Sequence, residues 1–250
     1  MNAKRLKRRL DQLLVERGLA QSRAKAQALV LAGNVFSGER RLDKAGVLIA
    51  EDAALELRGA EHPWVSRGAL KLERALAEFK IDAADAVALD IGASTGGFTE
   101  VLLARGARRV YAVDVGRGQL AWKLRGDPRV VVLEGVNARY LSNNEVPEPV
   151  DLVVCDASFI GLATILPAPL ALAKCGARLI ALIKPQFEAG PKEVGKGGIV
   201  KDEAVRAEAC EKIRRWLEEA MDWRVLGLVE SPIKGAKGNV EYLIAAEKPG

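Results

Sequence analysis

A single histidine and three cysteines in 250 residues exclude several chemistries at once. Cys155, Cys175 and Cys210 are odd in number, far apart and without a CxxC spacing, so neither a disulfide framework nor a metal site is expected. Such cysteine usage suits the reducing cytoplasm. His62 stands directly before Pro63, a position pushed away from helical geometry, and reads as a linker residue. No apolar run approaches the roughly 20 residues that span a bilayer. The basic start, Met1 to Arg9, is followed by no apolar core or cleavage site, so it is not read as a signal peptide.

What is present is an ordinary globular composition, 49% hydrophobic and 28% charged, in a chain long enough for one large domain or two small ones. The net charge of +5 is unevenly placed. Residues 1–60 hold 12 Lys+Arg against 7 Asp+Glu, a balance of +5, while the other 190 hold 26 of each. An excess confined to the first quarter points to an anionic partner there, nucleic acid above all.

In that quarter Leu6, Leu10, Leu13 and Leu14 recur at helical spacing, and Gly18 is placed to stop the helix. Ser22 reads as the N-cap of a second helix, Arg23 to Ala32, with Ala28, Leu29 and Leu31 on its apolar face. Gly33-Asn34 ends it. Short β-like pieces follow at Val35-Phe36, Val47 to Ile49 and Ala54 to Leu57. The run Arg9-Leu10-Asp11-Gln12-Leu13-Leu14, Arg17-Gly18-Leu19, Ser22-Arg23 and Ala28 to Val35 resembles the S-four-type RNA-binding domain over roughly residues 7–58. That resemblance implies a basic face for structured RNA, with Arg8, Arg9, Arg23, Lys25 and Lys44 as candidate contacts. Phosphate and shape contacts would supply the affinity.

Residues 61–65 read as a linker between this domain (1–60) and a second one (66–250). Ser66 is expected to cap a helix from Arg67 to Phe79 whose stripe is Leu72, Ala75, Leu76 and Phe79, leaving Lys71 off the stripe. From residue 86 onwards apolar strands alternate with helical segments, including helices at Gly97–Ala104, Ala163–Ala173 and Glu203–Ala220. This is the pattern of a mostly parallel sheet with helices on both faces, closed by two antiparallel strands.

The first strand of that domain, Val87 to Ile91, opens into Gly92-Ala93-Ser94-Thr95-Gly96-Gly97. Ligands of open α/β sheets bind at such strand ends. The loop is not GxGxxG, since Ser94 stands where the second glycine belongs, and it lacks the Gly-Lys-Ser/Thr of a P-loop. Asp114 ends the next strand 22 residues beyond Gly92, where a carboxylate reaches ribose hydroxyls. S-adenosyl-L-methionine is thereby favoured over NAD.

Three further polar residues mark strand ends: Asp156, Lys184 and, opening the last strand, Glu241. A lysine closing a long apolar strand is costly to bury unless paired, so a catalytic group and a structural Asp–Lys pair both remain open on these grounds. In order and context, Lys71, Asp156, Lys184 and Glu241 resemble the Lys-Asp-Lys-Glu tetrad of FtsJ-type RNA ribose 2′-O-methyltransferases. Ser66 to Leu72, Asp90 to Thr99 and Lys184-Pro185-Gln186-Phe187-Glu188 are similar to one subgroup, the TlyA/haemolysin A family. The resemblance implies a Rossmann-like methyltransferase domain with a seven-stranded sheet behind a small α+β RNA-binding domain. It places the cofactor against Asp90, Gly92, Ala93, Ser94, Gly97, Phe98, Asp114, Val115, Asn137 and Asp156. By the same resemblance Lys184 is the base, Lys71 orients the hydroxyl, Asp156 positions Lys184, and Glu241 holds Lys71. The substrate class implied is ribosomal RNA in ribosomal subunits, methylated on a cytidine 2′-hydroxyl. The loop Gly190 to Gly198, with Lys192 and Lys196, suits a flap over an RNA backbone or an unstructured connection. Other readings are an NAD-dependent oxidoreductase, a membrane-active haemolysin and a non-catalytic ribosome-assembly factor.

Overall fold

Lys7 to Arg9 form a strand rather than the first turn of a helix. The computed structural model describes residues 7–20, 22–57, 62–190 and 193–250, in two compact units, residues 1–67 and 68–250. Leu6, Glu61 and Lys192, each part of an expectation above, lie outside the described residues.

The first unit runs β1 (Lys7–Arg9), α1 (Leu10–Glu16), α2 (Arg23–Leu31), β2 (Val35–Ser37), β3 (Arg40–Arg41), β4 (Leu48–Ala50) and β5 (Glu56–Leu57). β1 pairs antiparallel with β4, and the amides of Leu10 and Asp11 donate to Val47 O and Ala45 O at 2.9 Å each. These long-range bonds draw residues 7–9 out of the helix that leucine spacing suggested. Ser22 caps α2 as expected, its Oγ accepting from Lys25 N at 3.2 Å. The apolar face of α2 differs, however: Ala26 and Val30 are buried, while Leu31 is 71% exposed. Ala26 and Val30, four apart, pack with Leu10 and Leu14 of α1, and that stripe excludes Leu31.

The second unit runs α3 (Ala69–Glu78), β6 (Val87–Ile91), α4 (Gly97–Ala104), β7 (Arg109–Asp114), α5 (Trp122–Arg125), β8 (Val130–Glu134), β9 (Val150–Cys155), α6 (Leu162–Ile165), α7 (Pro167–Ala171), β10 (Ala173–Ile183), α8 (Pro185–Glu188), α9 (Glu203–Arg215), β11 (Arg224–Glu230) and β12 (Tyr242–Glu247). Helix α3 starts at Ala69, so Ser66 does not cap it. The helix expected over Ala163–Ala173 is two, divided where Pro167 opens α7, and Ala173 already belongs to β10. A π turn, Trp216–Ala220, follows α9.

The seven strands lie in the order β11-β12-β10-β9-β6-β7-β8. β10, β9, β6, β7 and β8 are mutually parallel, and β12 runs antiparallel to both β10 and β11. Period-2 alternation sorts the side chains onto the two faces. Val87, Leu89, Ile91, Val153, Cys155, Leu179 and Ile183 share one core with Leu162, Leu166, Ile213 and Leu217 of the helices after β9 and β10. Ala88, Asp90 and Ala112 alternate onto the other face, on which α4 packs, and Leu152 and Val154, opposite Ala88 and Asp90, share it; all five are buried. Burial on both faces is why these strands read as continuous apolar runs.

Candidate active site

Parallel pairing fixes where the polar strand ends meet. Cys155 stands opposite Ala181 in the β9–β10 ladder, and Ile183 opposite Tyr242 in the β10–β12 ladder. Asp156 follows β9, Lys184 follows β10, and Glu241 precedes the antiparallel β12, so the register brings all three to the same end of the sheet. Lys71, in the first turn of α3, reaches them from above.

The four residues form one chain of alternating charge. Lys71 Nζ donates to Glu241 Oε2 at 2.7 Å and to Asp156 Oδ2 at 3.2 Å. The other Asp156 oxygen, Oδ1, lies 2.6 Å from Lys184 Nζ. Lys184 also donates to Asp156 O at 3.1 Å and to Ser158 Oγ at 2.8 Å. Lys71, Lys184 and Glu241 are all buried. Burial works to lower the Lys71 ammonium, but the carboxylates of Asp156 and Glu241 outweigh it and hold the group above the ordinary lysine value. For Asp156, burial works upward and the ammoniums of Lys184 and Lys71 pull the carboxyl below its usual range. Lys71 is therefore a fixed cation held by two acids, whereas Lys184 shares a single one.

Glu241 is held by backbone as well. A Cβ on Gly235 would lie 1.8 Å from Glu241 Oε1, so only glycine leaves room for the carboxylate there. Asn239, two residues before Glu241 and 3% exposed, accepts from Val200 N at 3.1 Å and donates to Gly198 O at 2.8 Å. These bonds stitch the segment that carries Glu241 to the glycine-rich loop, where Gly195 also pairs with Ile199. The described part of that loop is thus hydrogen-bonded structure, with Lys196 exposed on it.

Beside the tetrad lies the glycine turn after β6. Gly92 has φ +82°, and a Cβ there would come within 3.0 Å of the Ala157 backbone, so both its conformation and its closeness to the segment after β9 require glycine. Ala93 is buried, and Ser94 adopts φ +49°, uncommon for a residue with a side chain. Asp114 fastens the turn, accepting from Ser94 N at 2.8 Å and from Gly116 N at 2.7 Å. Each of its oxygens keeps a second lone pair for a ligand. Gly97 and Phe98 begin α4 and are buried; Val115 is 70% exposed. Asn137 caps a short 3-10 helix after β8, accepting from Arg139 N at 3.1 Å.

Asp90 is wholly buried beneath the turn. Thr99 Oγ1 donates to its Oδ2 at 2.6 Å, while Oδ1 has no hydrogen-bond partner among the described residues. Burial, with added repulsion from Asp156 and Asp114, pushes this carboxyl up to about 7. Three acids around one loop disfavour a pyrophosphate and suit a ligand that brings positive charge. Among the described residues no group of His, Cys, Asp and Glu could hold a metal ion.

The cations named from the first unit have two kinds of surroundings. Arg9 and Arg23 converge with Gln27 on the buried Asp11: Arg9 Nε to Oδ1 at 3.0 Å, Arg9 Nη2 to Oδ2 at 2.9 Å, Arg23 Nη2 at 3.2 Å and Gln27 Nε2 at 3.1 Å. The Arg9 hydrogen bond, against the cost of burial, holds Asp11 far below the usual carboxylate range. Arg8 pairs with Glu16 and Glu51 at 2.6 and 2.7 Å. Lys25 and Lys44 are exposed.

Sequence reasoning did not single out Ser158, Thr99, Gly235 or Asn239. A hydroxyl two residues past a strand-end acid was the only available signal for Ser158. Nor did it mark Phe159, which is 91% exposed at φ +66° with its ring 5.3 Å from that of Phe187.

Known proteins carry the same organisation. Residues 64–248 match the FtsJ-like methyltransferase family and residues 8–53 the S4 domain. The 16S/23S rRNA (cytidine-2′-O)-methyltransferase TlyA of Mycobacterium tuberculosis is 49% identical over 94% of this chain and 88% of its own. Hemolysin A of Brachyspira hyodysenteriae is 42% identical over 94% of this chain and 98% of its own. A solved structure of a candidate hemolysin from Streptococcus thermophilus superposes with a TM-score of 0.76 at 42% identity, covering 98% of this chain and 90% of that one. With Lys71, Asp156, Lys184 and Glu241 brought together on a seven-stranded sheet, in a chain whose S4 match precedes its methyltransferase match, the protein belongs to the FtsJ-like methyltransferase family.

Proposed function

We propose that the protein transfers a methyl group from S-adenosylmethionine to a ribose 2′-hydroxyl of ribosomal RNA, on a cytidine, within a ribosomal subunit. The observation that carries this reading is the asymmetric charge chain. One buried lysine is locked as a cation between two carboxylates, and a second, bound to only one of them, stands beside it at the same strand ends.

The donor pocket fits a cationic ligand. Asp90, with an orphaned buried oxygen, and Asp114 and Asp156 surround the glycine turn, and their mutual repulsion is relieved by positive charge. Gly92, Ala93, Ser94 and Gly97 would hold the cofactor, with Asp114 on its ribose and Phe98, Val115 and Asn137 along its flank. When bound, S-adenosylmethionine supplies a methyl group already activated by a positive sulfur.

A ribose hydroxyl is a poor nucleophile until it loses its proton. Lys184, in its neutral form, takes that proton. Lys71, held protonated, donates to the same oxygen and orients it. Asp156 fixes both amines through its two oxygens. Glu241 keeps Lys71 in place. Much of the barrier reduction is positioning, since the donor carries its own activation. The exposed Phe159 ring suits stacking against a nucleobase near the reacting ribose.

In the first unit Arg8, Arg9, Arg23, Lys25 and Lys44 would contact RNA phosphates, with Lys192 and Lys196 doing so from the second. Arg9 and Arg23, pre-set by Asp11, present their free donors as a pair.

A direct test is to incubate the protein with labelled S-adenosylmethionine and separated ribosomal subunits, then map 2′-O-methylation. The expected result is methylation of cytidine ribose, abolished by Lys184→Ala. Label on a base, or unchanged methylation by the Lys184→Ala protein, would overturn the assignment. The relatives named hemolysins raise a membrane-active alternative. No helix among the described residues is long and apolar enough to cross a membrane, and lysis by the purified protein at low concentration would be the contrary result.

A further inference from the structure

We propose that Ser158 is the proton exit of the active site, the group through which the buried Lys184 discharges to solvent the proton released in each turnover. The inference rests on the reading of Lys184 as the base. Methyl transfer from a sulfonium to a neutral hydroxyl yields a neutral thioether, an ether and one proton. If Lys184 removes that proton, the enzyme returns from each cycle with a buried ammonium that must lose it before the next.

The donors and acceptors at Lys184 show where it can go. An ammonium has three N–H donors and no acceptor. Lys184 Nζ donates to two chain acceptors, Asp156 O at 3.1 Å and Ser158 Oγ at 2.8 Å, and forms an ion pair with Asp156 Oδ1 at 2.6 Å. As an ammonium it has no lone pair to turn to the substrate until one proton departs. Two of these three oxygens are dead ends. A proton on the Asp156 carboxylate would have to stay beside Lys71, whose charge favours the ionised acid, and a peptide carbonyl has no proton of its own to pass on. Ser158 differs in both respects. Its hydroxyl accepts from Nζ and can donate onward, and the residue is exposed while Lys184 is 6% exposed.

The transfer balances. The Nζ–H bond breaks and its electron pair stays on nitrogen. The proton bonds to Ser158 Oγ as the serine's own hydroxyl proton passes to water. Lysine becomes neutral, the serine is unchanged, and water carries the charge away. Backbone geometry favours the arrangement, because the left-handed turn at Phe159 ends the segment immediately after Ser158 and leaves its side chain at the surface.

The test uses the full-length protein with S-adenosylmethionine and ribosomal subunits, comparing Ser158→Ala and Ser158→Thr with the unaltered chain. Ser158→Ala should lower kcat by about 10- to 100-fold, at or below the low end of what positioned proton transfer contributes because water can partly replace the relay, with affinity for S-adenosylmethionine unchanged. Its rate should rise with buffer-base concentration at fixed pH and ionic strength, because a small base replaces the missing relay. Ser158→Thr, which keeps the hydroxyl, should stay within about 3-fold of the unaltered rate and be insensitive to buffer. A Ser158→Ala rate within 2-fold of the unaltered protein would overturn the proposal. So would a loss that buffer does not relieve and that threonine shares, which would mark the serine as a packing group only. Lys184→Ala separates the two levels: turnover that survives it defeats the base assignment itself, whatever Ser158 does.

Discussion

Replacing Glu241 with leucine while Lys71 stays in place should destabilise the methyltransferase unit, and replacing both with apolar residues should largely restore it. Glu241 Oε2 lies 2.7 Å from Lys71 Nζ, with the side chains 3% and 9% exposed. At an effective dielectric near 20 the attraction at that distance is about 6 kcal/mol, and much of it is offset by the cost of taking both charges out of water. Removing Glu241 alone leaves Lys71 buried with only Asp156, at 3.2 Å. A loss of about 3 kcal/mol is expected, the lower end for a broken buried pair, because one partner remains. With a urea slope of about 2–3 kcal/mol/M, the unfolding midpoint should fall by about 1 M. The assay is urea unfolding followed by fluorescence of the buried Trp223. In the double variant Lys71→Met with Glu241→Leu, stability should return to within about 1 kcal/mol of the unaltered protein, while methyl transfer stays lost. That combination separates the two readings of the ion chain. If the double variant still methylates ribosomal RNA, the charges only hold the sheet end together and the catalytic reasoning fails. If Glu241→Leu alone costs nothing, the pair is not buried as described.

Further outcomes follow from the same geometry. The Asp90 carboxyl, raised to about 7, binds a proton in the folded state that the unfolded chain has released above the usual carboxylate range. Stability should therefore decline as pH rises from about 4 towards 7, and Asp90→Asn should flatten that slope in pH-dependent unfolding. Gly92→Ala should cost at least about 2 kcal/mol, from left-handed strain plus the clash with the Ala157 backbone, and should weaken S-adenosylmethionine binding in calorimetry. Asp11 titrates lower in the folded state, so its contribution is present above about pH 4 and lost below it. Asp11→Ala should weaken binding to ribosomal RNA by freeing Arg9 and Arg23, and Arg9→Ala should reduce the salt slope of binding by about 1. A salt response unchanged by Arg9→Ala would remove that residue from the interface. Asn239→Ala leaves Val200 N and Gly198 O unpaired and should lower kcat more than it raises KM, since the loosened segment carries Glu241 rather than a binding group.

Most of the architecture was legible because its signals are local. Strand β6 and helix α4 fall where the apolar run and the glycine turn placed them, and buried parallel strands advertise themselves as continuous apolar stretches. The errors lie where distant partners overrode local pattern. Residues 7–9 became a strand because β4, some forty residues on, offered a ladder. Leu31 was turned outward because α1 presses on Ala26 and Val30 instead. The break at Pro167 is different in kind, a local signal inside a run whose hydrophobicity alone would have continued the helix.

By itself the sequence determined the fold class, the turn at Gly92 and the identities of Lys71, Asp156, Lys184 and Glu241, because strand ends and glycine turns are encoded within a dozen residues. It left open whether those four were an active site or a structural pair, since a lysine closing an apolar strand fits both. Only the tertiary structure set Lys71 between two acids and Lys184 against one, and joined Lys184 to an exposed serine. The reason is physical: protonation and hydrogen bonding depend on which groups lie within about 3 Å, and here the partners are 85 and 170 residues apart in the chain.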